Sequence, residues 1–336
     1  MKRILTACFL AAALLLSACG AKEGTAASKE PEKQTRVVFF FDTVVTVTVY
    51  SDDTEVLDRM EDECLYYEKL LSKTVEGSDV WNINHAGGKR VAVSDETRDL
   101  ILRALEYSRL SDGRFDISIE PCVSLWDFTG EGMGVLPDAE ELAAAAELVD
   151  WTKIDVNDEG VQLPEGMSID LGAIAKGYIS DRIADFLAAE GVKSALLNVG
   201  GNVRTVGVKP DGSNWRIGIQ DPKGARAQSI VGIVSLAGNS VVTSGIYERG
   251  FVLDGVCYHH ILDSETGWSV QNELAGVSIV TEEACAADAL STTVFAMGLE
   301  EGTAFMESLE GADAIFVTRD GKVSWTSGLN GLFSLS

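Results

Sequence analysis

Residues 37–41 (Val-Val-Phe-Phe-Phe) and 43–50 (Thr-Val-Val-Thr-Val-Thr-Val-Tyr) are β-branched or aromatic almost without a break and read as two strands. The period then changes. Val56, Met60, Cys64 and Leu71 recur at helical spacing and predict a helix over 55–71. A second helix is predicted over 97–111, ended by Asp112-Gly113, and an Ala-rich third over 138–148. Residues 154–163 read as a hairpin around Asn157-Asp158-Glu159-Gly160. Ile169-Asp170-Leu171 reads as a short strand, followed by a helix over 176–189 with Gly191 as its stop. Strands are predicted at 195–199, 215–220, 230–236, 250–253 and 277–280. A helix over 282–297 takes Thr281 as its N-cap, with Glu282 and Glu283 in its first turn. Residues 314–318 and 322–325 close the chain as a hairpin. No segment repeats at a fixed period. Strands and helices alternate irregularly, which predicts an α+β (mixed α/β) fold of mixed and antiparallel sheets with packed helices, not a doubly wound sheet.

The first residues follow a different pattern. Lys2 and Arg3 precede an apolar run from Ile4 to Leu16, which ends in Leu16-Ser17-Ala18-Cys19. A basic start, a short apolar core and small residues before a cysteine make a secretory leader. The tetrapeptide resembles a bacterial lipobox, which implies cleavage after residue 18 and lipidation of Cys19. Residues 19–36 then read as a flexible tether and 37–336 as the folded domain. Two acyl chains suffice for stable anchoring. The expected location is therefore the extracytoplasmic face of a membrane.

Charge narrows the partners. Lys+Arg number 27 against 52 Asp+Glu, a formal charge of −25, which argues against nucleic acid. A phosphorylated small molecule stays compatible if a cation neutralises the charge locally. With only three His, a His-rich zinc or copper site is not expected. Cys64, Cys122, Cys257 and Cys285 form no C-x-x-C pair and read as buried free thiols.

Four segments carry candidate chemistry. Asp170-Leu-Gly172-Ala-Ile-Ala-Lys176-Gly177-Tyr178 runs from a strand through a Gly turn into a helix. It lacks the Gly-Lys-Ser/Thr ending of a P-loop and reads either as an anion-facing helix start or as a tight packing turn. In Asp288-Ala-Leu-Ser291-Thr292 the three oxygen-bearing side chains share one helix face. They read either as hard ligands for Mg²⁺ or as hydroxyls bonded back to helix carbonyls. Asn198-Val-Gly200-Gly201-Asn202 permits close backbone approach. In the stretch from Tyr258 to Gly267, alternation places His260 and Leu262 on one face and His259 on the other.

Together these segments resemble the ApbE family, the FAD:protein FMN transferases, over nearly the whole mature chain. The matching stretches are Phe41-Asp42-Thr43, Ser72 to Thr74 with Asn82 to Asn84, Gly113 to Pro121, Ile169 to Tyr178, Asn198 to Asn202, Thr243 to Gly245, His260 to Gly267 and Asp288 to Thr292. The resemblance implies an ApbE/T-fold-like architecture. It implies Mg²⁺ held by the carbonyl of Ala173 and the side chains of Asp288 and Thr292, with Ser291 standing where many relatives carry an acid. It implies FAD contacts at Phe41, Thr74, Arg114, Phe115, Asp116, Asp170, Lys176 and Leu262. Many relatives have Met at the position of Phe41 and an aromatic residue at that of Thr74. His260 matches a family histidine near the reacting phosphate and, with Asp288, is the implied catalytic pair.

The implied activity is Mg²⁺-dependent transfer of FMN from FAD, its substrate, to a Thr hydroxyl, with release of AMP. The implied recipients are extracytoplasmic flavoprotein subunits of membrane redox systems. The alternatives are a pyrophosphatase giving free FMN and AMP, and a flavin-binding lipoprotein without turnover.

Overall fold

The computed structural model describes residues 30–130, 132–224 and 229–336. The leader, Cys19 and the tether up to residue 29 lie outside the described residues. Eight strands build one sheet whose spatial order follows the chain. They are Lys33–Phe40, Thr43–Tyr50, Ala195–Val199, Asn202–Val206, Ser240–Gly245, Leu274–Thr281, Ala312–Thr318 and Val323–Trp325. Every neighbouring pair is antiparallel. The sheet is thus a meander interrupted by long excursions, the longest between Tyr50 and Ala195, and these carry the helices.

The two halves of the sheet are covered differently. Val45, Val47, Leu197 and Val199 pack with Met60 and Cys64 of the Val56–Leu71 helix, Leu100 of Asp95–Leu110 and Ile179 and Ile183 of Ala175–Ala189. In the other half, Val277, Ile279 and Phe316 meet Leu290, Val294 and Phe295 of the Ala284–Met297 helix and Met306 of Leu299–Ser308. The opposite face of that half, Val241, Val280 and Ile315, is covered by Ile219, Val234 and Phe333 of a three-stranded sheet. Strand Leu274–Thr281 is therefore buried along all eight residues, which removes polar alternation from its sequence. Each such fully buried aliphatic or aromatic side chain contributes ~1.5–3 kcal/mol.

Most predicted elements form within a few residues of their expected bounds, and the fold class is the expected one. Four points differ. The first strand begins at Lys33, inside the stretch read as tether. Ile169–Leu171 is not a strand. The Asn84 side chain instead bonds both the N–H and the C=O of Ile169, at 2.8 and 2.9 Å, and Asp170 N–H donates to the Ile117 carbonyl at 2.8 Å. An amide side chain thus replaces the neighbouring strand. Thr281 does not cap the following helix, which starts at Ala284; its hydroxyl donates to the Glu283 carbonyl. The strand after Val256 ends at His259, so the expected alternation stops there. Leu262 joins a satellite core with Cys122, Trp126 and Leu142, whereas His260 turns to the Arg249 carbonyl.

The structure also adds Asn202–Val206 and Ser240–Gly245. Polar residues hide these strands in the sequence. They are satisfied by tertiary partners, as where Thr243 Oγ1 meets Ser278 Oγ at 2.7 Å. The four described cysteines are free, and Cys64, Cys122 and Cys285 are buried. Burial, reinforced by Glu61, pushes the Cys64 thiol up to about 12, and burial alone pushes Cys122 up to about 11. Such thiols are inert.

Candidate active site

Two helices cross where the chemistry was expected. Residues Ala175–Ala189 and Ala284–Met297 approach so closely that a Cβ on Gly177 would stand 2.2 Å from the Ala284 carbonyl oxygen and 2.8 Å from Asp288 Cβ. Glycine is required here for space rather than for backbone conformation. The Gly177 N–H donates to Asp288 Oδ2 at 2.9 Å. Gly177 is the third residue of its helix, where an N–H has no intrahelical partner, so Asp288 acts as a cap donated by the other helix. The Ala173 carbonyl is left without a protein donor among the described residues. That carbonyl precedes the helix, four residues before the N–H that Asp288 caps.

Asp288 is 4% exposed in a helix that is apolar on nearly every side. Thr292, one turn further along, is half-buried and makes no hydrogen bond through its hydroxyl among the described residues. A free carbonyl, a carboxylate and a hydroxyl form a hard-oxygen donor set that fits Mg²⁺ better than softer metals. Among the described residues no three His, Cys, Asp or Glu side chains cluster as a metal site, so the set depends on one carboxylate. Ser291 does not belong to it. Its hydroxyl is fully buried, donates to the Asp288 carbonyl at 2.8 Å and lies 2.8 Å from Ser244 Oγ. Back-bonding to the helix accounts for Ser291.

Lys176 is the shared cation. Its Nζ donates to the Gly172 carbonyl at 3.0 Å and stands 3.8 Å from Asp288 Oδ1. Its charge also acts on Asp170, Glu248 and His260. Glu248 follows the Ser240–Gly245 strand, at the same end of the sheet as the Gly200-Gly201 turn, and had no motif to mark it. Glu248 is exposed by surface area, although protein atoms surround much of its carboxyl. Lost hydration, helped by Asp288 and opposed by Lys176, pushes its carboxyl up to about 7. Burial pushes His260 down to about 4, against its bond to the Arg249 carbonyl, so the ring is neutral at pH 7.

The Glu248 shift has a direct consequence. A carboxyl raised on folding keeps its proton where the unfolded chain has released it, so stability falls as pH rises between about 4.5 and about 7. Glu248→Gln removes that loss. The melting-temperature advantage of Glu248→Gln over wild type is expected to widen across this window; a difference independent of pH would contradict the assignment.

Asp170 ties the remaining segments together. Its Oδ1 accepts the Gly172 N–H at 2.7 Å, and its Oδ2 accepts from Lys73 Nζ at 2.8 Å. Lys73 also pairs with Glu120. Burial pushes Asp170 up, but Lys73 and the Gly172 N–H overcome it and hold the carboxyl below its ordinary value. Burial, with Asp170 adding to it, pushes Glu120 up against Lys73. Lys73 and Glu120 are site neighbours that no spacing rule exposes, because their pairing spans 47 residues. Thr74, beside Lys73, is exposed.

Phe41 sits in the turn joining the first two strands, half-buried at φ 55°, with its N–H on Glu68 Oε1 at 2.9 Å. That turn and Gly200 lie together, since a Cβ on Gly200 would stand 2.5 Å from Thr43 Oγ1. Arg114 is exposed, and Ser264 Oγ bonds the neighbouring Gly113 carbonyl at 2.7 Å, joining this loop to the loop that follows Leu262. Phe115 is 2% exposed and packs in the main core. Asp116 accepts from Ser118 N, Ser118 Oγ and Trp151 N. The side chains of Phe115 and Asp116 are thus occupied in holding the loop. A separate groove of about 700 Å³ between Leu299 and Arg319–Ser324 contains none of the expected site residues.

Comparison with known proteins gives the family of the chain. Residues 41–316 match the ApbE family. A FAD:protein FMN transferase of Klebsiella pneumoniae is 39% identical over 281 residues, which cover 82% of this chain and 86% of that protein. One from Treponema pallidum is 35% identical, covering 78% and 76%. The apo crystal structure of the Pseudomonas stutzeri flavinyl transferase ApbE superposes with a TM-score of 0.80 at 32% identity, covering 90% of this chain and 97% of that one. The crystal structure of an ApbE protein from Thermotoga maritima gives a TM-score of 0.83 at 32% identity, covering 90% and 99%. The chain therefore belongs to the ApbE family.

Proposed function

We propose that this protein is a transferase that moves the FMN half of FAD onto a Thr hydroxyl of a recipient protein and releases AMP. The observation that carries the reading is the helix crossing, where Asp288 caps the Gly177 N–H and stands 3.8 Å from Lys176, with the Ala173 carbonyl just before that helix lacking a protein donor among the described residues. Ala173 O, Asp288 and Thr292 would hold Mg²⁺, which when bound would supply neutralisation of the charge on the diphosphate oxygens. Lys176 adds a point charge for the same oxygens. The recipient hydroxyl oxygen forms a bond to the FMN-side phosphorus. The bond from that phosphorus to the bridging oxygen breaks, and AMP leaves with that oxygen. The hydroxyl proton has two acceptors within reach of the Lys176 charge, the neutral His260 ring and the Glu248 carboxyl, whose titration near 7 suits proton transfer at neutral pH. Asp170 holds the Gly172 turn in place and is itself held by Lys73.

The leader pattern ending at Cys19 supports a lipid anchor facing the extracytoplasmic side, which would set the enzyme beside flavoprotein subunits of membrane redox systems. Incubation with FAD, Mg²⁺ and a recipient carrying an acceptor Thr is expected to yield an FMN-sized mass increase on the recipient and one AMP per adduct. FMN and AMP formed at the same rate with no adduct would replace transfer by hydrolysis. Intact FAD would remove the enzymatic reading.

A further inference from the structure

We propose that Asp181 is a positioning residue for the cation site, holding the Ala284–Met297 helix, with Asp288 and Thr292, at a fixed register against the Ala175–Ala189 helix that the Ala173 carbonyl precedes. This rests on the cation reading above and adds a residue to it.

The Ala284–Met297 helix has no cap of its own. Its N-cap residue, Glu283, makes no side-chain cap bond, and the Thr281 hydroxyl is spent on the Glu283 carbonyl. The cap comes from the other helix. Asp181 Oδ1 accepts from Ala284 N and Oδ2 from Cys285 N, both at 2.8 Å. Arg204 Nε donates to Oδ1 at 3.1 Å and holds the carboxylate in place. Asp181 lies one turn beyond Gly177, and Ala284 lies one turn before Asp288, so the two contacts form two rungs between the helices. In one rung a backbone N–H of the first helix meets a side chain of the second. In the other, a side chain of the first helix meets backbone N–H groups of the second. Sliding either helix by one residue, about 1.5 Å, breaks both rungs.

A cap alone does not require this arrangement. A Ser or Asp at the helix's own first position would satisfy the same N–H groups locally and near water. Asp181 is 5% exposed, and placing a carboxylate there is costly unless it is fully bonded. What the buried carboxylate adds over a local cap is position relative to the Lys176 helix.

The test is Mn²⁺ binding, followed by the electron-spin resonance of the free ion, with and without FAD, in wild type, Asp181→Asn and Asp181→Glu. Both variants are expected to melt cooperatively but to bind Mn²⁺ roughly 10–100-fold more weakly, as when the support of a metal ligand is removed. Transfer is expected to recover toward the wild-type rate at high Mg²⁺. A lower melting temperature with unchanged Mn²⁺ affinity would reduce Asp181 to a stabilising cap and overturn the proposal. A wild type that binds no Mn²⁺ in either condition would overturn the cation reading itself. Amide exchange in the wild type gives a check independent of variant folding. Mg²⁺ is expected to slow exchange at Gly177, Ala284 and Cys285, because coupling between the rungs and the ion is reciprocal. No slowing there would also overturn the proposal.

Discussion

Asp288→Ala is expected to lower FMN transfer by roughly three orders of magnitude, the several kcal/mol that a bound cation contributes to a phosphoryl transition state. The size follows from the absence of a substitute. Asp288 is the one carboxylate in the donor set, Ser291 is turned into the core, and no cluster of three metal-ligating side chains exists elsewhere among the described residues. The substitution also leaves the Gly177 N–H without its acceptor, a cost of ~1–3 kcal/mol for a buried donor. Asp288→Asn separates the two effects. Its amide oxygen can still accept that N–H, so stability is expected to return while transfer does not. Single-turnover rates at saturating FAD across a Mg²⁺ series, read beside a denaturant melt, decide the matter. Transfer within tenfold of wild type in both variants would contradict the metal assignment.

Gly177→Ala is expected to destabilise the protein by roughly 1–3 kcal/mol and to remove most of the transfer activity. The direction runs against helix propensity, which favours Ala over Gly inside a helix by about 1 kcal/mol. The new methyl would meet backbone, with the Ala284 carbonyl carbon at 2.6 Å and its oxygen at 2.2 Å, and a carbonyl in the neighbouring helix cannot swing aside as a side-chain tip does. The helices must separate, which stretches the bond between Gly177 N–H and Asp288. A displacement of about 1 Å at reacting groups costs ~100-fold in rate. A shifted denaturant midpoint with a matching loss of transfer is the expected result. A fully active variant as stable as wild type would show that the crossing is looser than the contacts imply.

Both predictions turn on Gly177, which in the sequence is one of several glycines after Asp170. The segments containing Ala173, Lys176, Asp288 and Thr292 were each legible, yet each had an ordinary structural reading. For Ser291 the ordinary reading held. For Asp288 the packing reversed it, since its carboxylate is buried against another helix rather than solvated. Glu248 went unmarked, and Lys73 and Glu120 fell inside matching stretches without being singled out, because nothing local distinguishes one acid or one lysine. Their environments are made by segments that meet only after folding.

The amino-acid sequence by itself determined most strand and helix bounds, the fold class and the segments that carry its chemistry, because side-chain period and turn residues act over a few neighbouring positions. Tertiary structure decided which carboxylate caps which helix and where a carboxyl titrates near neutrality. Those outcomes depend on contacts such as Asp181 with Ala284 and Gly177 with Asp288, which bring together residues more than 100 positions apart and exist only once the helices have crossed.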